Sequence, residues 1–88
     1  MFYDNEKGME IICNKLKTND NIISLDFSNN PIGDEGGLVL AKVLHEKQNW
    51  ESLSLNSCDL RESALIGLFI AAKGHKNLKI LRYASILD

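Results

Sequence analysis

The chain has 88 residues, 44% hydrophobic and 25% charged, with six Gly, one Pro and a formal net charge of −2. These shares exclude low-complexity disorder, and no apolar run approaches the length that spans a bilayer. The charge is uneven: residues 1–60 carry five Lys/Arg against ten Asp/Glu and residues 61–88 five against two, so the balance runs from −5 to +3. That is too sparse for the dense basic stripe of a nucleic-acid binder, and it suits an acidic partner or head-to-tail contacts.

Met1 is followed by Asp4, Asn5, Glu6 and Lys7 rather than by a basic start and an apolar stretch, so no secretory signal is visible. Two cysteines and no N-x-[ST] sequon fit a reduced, intracellular setting, with cytoplasm or nucleus expected.

In chain order, Gly8, Met9, Ile12, Cys13 and Leu16 recur at helical spacing and predict an opening helix over 6–17. Residues 22–28, Ile-Ile-Ser-Leu-Asp-Phe-Ser, then alternate in the period of a half-buried strand. Ile23, Leu25 and Phe27 are expected to point in, and Ser24, Asp26 and Ser28 out. After Asn29-Asn30-Pro31 the pattern turns helical, with Gly37, Leu40, Ala41 and Leu44 on one stripe of a helix over 34–47. Asp34 and Glu35 stand in its first turn and His45 and Lys47 at its end, matching the helix dipole.

A second strand is expected over 51–55 and a second such helix over 62–74, with Leu65, Leu68, Phe69 and Ala72 as its inner stripe and Gly74 as its stop. Gly67 lies mid-helix, where it costs about 1 kcal/mol relative to Ala. A third strand over 79–83 is followed by five residues and no helix.

These elements recur with a period of 28 residues. Ile22, Leu25, Phe27, Asn30 and Ile32 step onto Trp50, Leu53, Leu55, Cys58 and Leu60, and again onto Leu78, Leu81, Tyr83, Ile86 and Asp88. The order is helix, strand, helix, strand, helix, strand, and such crossovers give a parallel sheet with helices on one side. The units are a half unit at 1–21, full units at 22–49 and 50–77, and a partial unit at 78–88 of a single array.

The stretch Ile22-x-x-Leu25-x-Phe27-x-x-Asn30-x-Ile32-Gly33-Asp34-Glu35-Gly36-Gly37-x-x-Leu40-Ala41-x-x-Leu44 resembles the ribonuclease-inhibitor type of leucine-rich repeat. The long unit, the Gly-Asp-Glu-Gly turn, the Leu-Ala pair and the alternation of Asn30 with Cys58 carry the likeness. It implies an α/β leucine-rich-repeat solenoid, a horseshoe segment with a short parallel sheet on one side and helices on the other. Ala64 in the Gly36 column and Ile86 in the Asn/Cys column depart from the pattern, the second suggesting an edge, a cap or decay of the array.

Function must be argued from the site, because this class ranges from ribonuclease inhibitor to innate immune receptors, scaffolds and the Ran GTPase-activating protein. No catalytic residue, cofactor or metal is expected. Asn30 and Cys58 are read as satisfying loop backbone groups and Cys13 as a core residue. His45 and His75 make no ligand spacing with the cysteines, and the glycine turn at 33–37 lacks the Lys-Ser/Thr of a phosphate loop.

What remains is the outward face of the sheet, in three rows: Ser24, Ser52, Ile80; Asp26, Ser54, Arg82; Ser28, Asn56, Ala84. Small polar residues there also serve mere solubility; as a concave platform they bind a protein partner. Leu78, Leu81, Tyr83 and Ile86 form a second candidate contact at the C-terminal edge, to be covered by a second copy, another subunit or further repeats of the same protein. A scaffold or recognition module is therefore expected, with no nucleic acid and no membrane. The alternative is regulation of a small GTPase through the loops that hold Asn29, Asn30, Asp59 and Arg61.

Overall fold

The computed structural model describes residues 5–84 and contains six elements: α1 (Asn5–Lys17), β1 (Ser24–Asp26), α2 (Gly33–Glu46), β2 (Ser52–Ser54), α3 (Glu62–Lys73) and β3 (Ile80–Arg82). The strands form one parallel sheet in the order β1-β2-β3, and each pairing steps by 28 residues: Leu25 opposite Leu53 opposite Leu81. Backbone pairing runs past the three-residue strands at both ends. Glu51 N–H donates to Ile23 O and Lys79 N–H to Glu51 O before them, and Asn29 N–H donates to Asn56 O and Ser57 N–H to Ala84 O after them. Short strands suffice because the loops on either side continue the ladder.

The core lies between the sheet and the helices. Trp50, Leu53, Leu55, Leu40, Leu44, Val43, Leu68, Cys13 and Cys58 are fully buried. β2 is shielded on both edges, so Leu53 has no exposed surface, whereas Leu25 and Leu81 on the outer strands are half-buried.

Helix α2 lies between α1 and α3 and buries two stripes, Gly36, Leu40, Val43 and Gly37, Ala41, Leu44. Each outer helix buries one. In α1 it is Met9, Cys13 and Leu16, and in α3 it is Ala64, Leu68 and Ala71. The approach of α2 to α3 is close because small residues meet there. A Cβ on Gly37 would stand 2.7 Å from Ala64 Cβ, and one on Gly67 would stand 3.2 Å from Leu38 Cδ2. The mid-helix glycine thus packs closely on α2, where an added methyl would press only on the half-exposed Leu38.

Three expected core residues are exposed. Ile12 is 42% and Phe69 41% exposed, since each sits on the stripe facing away from α2, where no further helix stacks among the described residues. The inner stripe of α3 is accordingly Ala64, Leu68 and Ala71 rather than one centred on Phe69. Ile23 is 48% exposed: it precedes β1, its column holds Glu51 and Lys79, and the inward position at the strand entrance belongs to the column of Ile22, Trp50 and Leu78. Ile86 and Asp88 lie outside the described residues.

Candidate functional site

The outward face of the sheet brings the expected rows together. Ser24, Ser52 and Ile80 are aligned by strand pairing, as are Asp26, Ser54 and Arg82. The third row continues past the strand ends and is tied by side chains. Ser28 Oγ lies 3.0 Å from Ser54 Oγ and accepts the Asn56 N–H at 3.2 Å, and Asn56 Oδ1 accepts the Ala84 N–H at 2.8 Å. Ser28 and Asn56 therefore use part of their hydrogen-bonding capacity to hold the strand ends in register. Ser24, Asp26, Ile80, Arg82 and Ala84 are exposed, and Ser52 and Ser54 are half-buried in the middle of the sheet.

This face is polar at β1, small in the centre and basic with one apolar residue at β3. Asp26 accepts the Ser28 N–H at 2.9 Å, and that bond, followed by the Ser28 hydroxyl and more weakly the charge of Arg82, holds its carboxyl below the usual carboxylate range. The side chains of Asp26 and Arg82, opposite in charge, thus flank Ser54 on the exposed face.

At the C-terminal edge Leu78 and Leu81 are half-buried against the core. Tyr83 is 49% exposed and packs edge-on against Phe69, with ring centroids 4.9 Å apart and planes at 75°. Ile66, Ile70 and Ile80 are also exposed on α3 and β3. Opposite, between α1 and α2, Glu10, Lys17, Glu35 and Lys42 surround an open groove of about 580 Å³ floored by Cys13, Val39 and Val43. Its charges are of both signs, and burial pushes the Cys13 thiol beneath it up to about 11, against a weaker pull from Lys17. Among the described residues no group of three or more His, Cys, Asp or Glu could hold a metal ion.

The loops after β1 and β2 carry the other expected residues. Asn29 and Ser57, one period apart, both adopt positive φ (67° and 57°), as does Asp59 (56°). Asn and Asp tolerate this backbone better than other side chains, whereas Ser57 adopts it at some cost. Asn30 Nδ2 donates to Phe27 O at 2.9 Å and Ser28 O at 3.2 Å, within its own loop. Cys58 Sγ reaches Phe27 O of the preceding unit at 3.1 Å, and burial raises its pKa. Arg61 is exposed, its guanidinium 4.0 Å from the Asp59 carboxylate.

Other columns were not legible as sites. Asn21, Asn49 and Asn77 are one period apart. Asn49 Nδ2 donates to Asp20 O and Ile22 O at 3.1 Å each, and Asn77 Nδ2 donates to Gln48 O. Lys47 and His75 repeat the same step at the helix ends. Lys47 Nζ bonds Lys17 O at 3.3 Å and Asp20 Oδ1 at 2.7 Å, and His75 Nε2 lies 2.7 Å from Lys47 O. Asp34 reaches forward instead, its Oδ1 accepting the Arg61 and Ala64 N–H groups at 3.1 and 2.9 Å and so capping α3 from α2. The signal for the Asn column and for Lys47 and His75 was the period applied to polar columns as well as apolar ones.

No family model matches the chain, and no solved structure matches it. Among curated proteins, the Rho GTPase-activating protein gacW of Dictyostelium discoideum is 35% identical over 57 residues. That stretch is 65% of this chain and 5% of the relative's length. Among the described residues no helix is long and apolar enough to cross a membrane.

Proposed function

We propose that the chain is a short leucine-rich-repeat array of the ribonuclease-inhibitor type whose exposed sheet face recognises a protein partner. The observation that carries this reading is the alignment of three outward rows on a parallel sheet while Leu25, Leu53 and Leu81 point the other way. Such a face offers a platform of small polar side chains with an Asp26–Arg82 charge pattern, suited to orienting a complementary surface. On this reading its action is binding.

The likeness to a Rho GTPase-activating protein supports a role in GTPase signalling. A matched stretch of 57 residues is near the lower limit of domain size, and it accords with a shared recognition module better than with a shared catalytic unit. The second reading is direct GTPase regulation, in which exposed Arg61 completes the nucleotide site of the partner as an arginine finger would.

One experiment separates them. Purified chain is titrated into Rho-class GTPases loaded with GDP or a GTP analogue, and GTP hydrolysis is followed in parallel. Binding that Ser54→Arg abolishes, with hydrolysis unchanged, supports recognition by the sheet face. Stimulated hydrolysis that Arg61→Ala removes supports the second reading. Binding to none of these GTPases would remove the link to GTPase signalling.

A further inference from the structure

The outer faces of α1 and α3 are complementary halves of one unit. The described elements run from α1 to β3, and the exposed side of α3 occupies the columns that α2 uses to receive α3. We propose that the C-terminal face of one copy accepts the N-terminal face of a second copy, in the same 28-residue register, to give head-to-tail association. This goes beyond the partner-binding reading and starts from the observed register.

In that register α1 of the second copy covers α3 and its β1 pairs with β3. Leu65 and Phe69, in the columns of Gly37 and Ala41, meet Gly8 and Ile12, in the columns of Ala64 and Leu68. At the internal contact glycine meets alanine; at the junction Leu65 meets Gly8 and Phe69 meets Ile12, so the junction carries more apolar bulk than the contact of α2 with α3. Ile11 stands in the Gly67 column, so the two helices sit farther apart there than α2 and α3 do. Ile11, Ile12, Ile66, Phe69 and Tyr83 are exposed, each between 41% and 55%.

The strand edges match as well. Stepping the register once more places Leu81 opposite Leu25, and Arg82 opposite Asp26 of the second copy. Opposite charges facing across a strand pair attract, in line with the −5 and +3 balance of the two ends. Asn21 adds a third point. Its equivalents Asn49 and Asn77 each donate to carbonyls of the preceding unit. The Asn21 side chain makes no hydrogen bond among the described residues and by the same step reaches Lys76 O. The contact is heterologous, so each copy still offers one free face of each kind and growth does not stop at two.

Sedimentation of the 88-residue chain over a micromolar range is the test, repeated for Asp26→Arg, for Arg82→Asp and for their equimolar mixture, with circular dichroism to verify folding. Wild type should grow in mass with concentration past the dimer, and more weakly in high salt. Each single variant should associate about tenfold more weakly, because like charges then face each other. The mixture should recover association, since opposite charges again meet at every junction. A wild-type chain that stays monomeric, a dimer that saturates at two copies, or a mixture no better than its components would overturn the proposal.

Discussion

Replacing Leu53 by Ala should remove a large part of the stability of this chain. Leu53 has no exposed surface and stands at the centre of the ladder, between Leu25 and Leu81. Deleting its three terminal carbons forfeits about 0.8 kcal/mol for each, or about 2.4 kcal/mol of transfer free energy. The cavity left under a sheet held by neighbours on both sides collapses poorly, which takes the total to about 3–5 kcal/mol. For 88 residues the whole folding free energy is roughly 4–13 kcal/mol, so the variant is marginal. Urea unfolding followed by circular dichroism reads the change, with an m-value of about 1–1.5 kcal/mol/M and a midpoint lowered by about 2 M or more. Leu25→Ala, at a half-buried edge position, should cost about half as much. A loss under about 1 kcal/mol at Leu53, or a larger one at Leu25, would refute the placement of the core under β2.

Gly37→Ala should destabilise by about 1–3 kcal/mol, because its Cβ would stand 2.7 Å from Ala64 Cβ, whereas Gly67→Ala should be neutral or stabilising by up to about 1 kcal/mol, since the half-exposed Leu38 can yield; thermal melts compare the two. Lys47→Ala should cost about 1–3 kcal/mol by removing the cap on Lys17 O and the partner of Asp20, as read from chemical denaturation. Cys13 and Cys58 should resist alkylation at neutral pH and react once urea unfolds the chain, because burial both hides them and raises their pKa; mass spectrometry of labelled protein checks this. Asp20 and Asp26 are held low in the folded state, by Lys47 and by the Ser28 N–H respectively, so their contribution is present above the ordinary carboxylate pKa and is lost as pH falls through the folded values. Melting temperatures should therefore decline on acidification below about pH 4, and in Asp26→Asn that decline should be shallower.

The strands and helices were legible because apolar columns repeat: the expected ranges 23–27, 51–55 and 79–83 contain the observed strands, and the helix ends differ by at most one residue. Burial on the outer helices was not. Phe69 and Ala41 share a column, yet exposure depends on whether another helix stacks on that side, which the pattern within one helix does not state. The sequence shows the propensity cost of Gly67 but not its approach to Leu38 and Ala41 on the neighbouring helix. Asp34 read as a dipole partner for its own helix, while its carboxylate caps the next one. Such polar contacts link residues 27 to 31 apart, and only the three-dimensional stacking of the units shows where they reach. The rows of the sheet face were legible in full, since strand alternation and the period fix them together.

The sheet face as recognition surface is tested most directly by NMR, with the labelled chain titrated with a GTP-loaded Rho-class GTPase. Shift changes and line broadening concentrated at the amides of Ser24, Asp26, Ser52, Ser54, Asn56 and Arg82 are the expected result. Perturbations confined to the outer helical surface around Glu10, Glu35 and Lys42, or a spectrum unchanged at saturating partner, would contradict it.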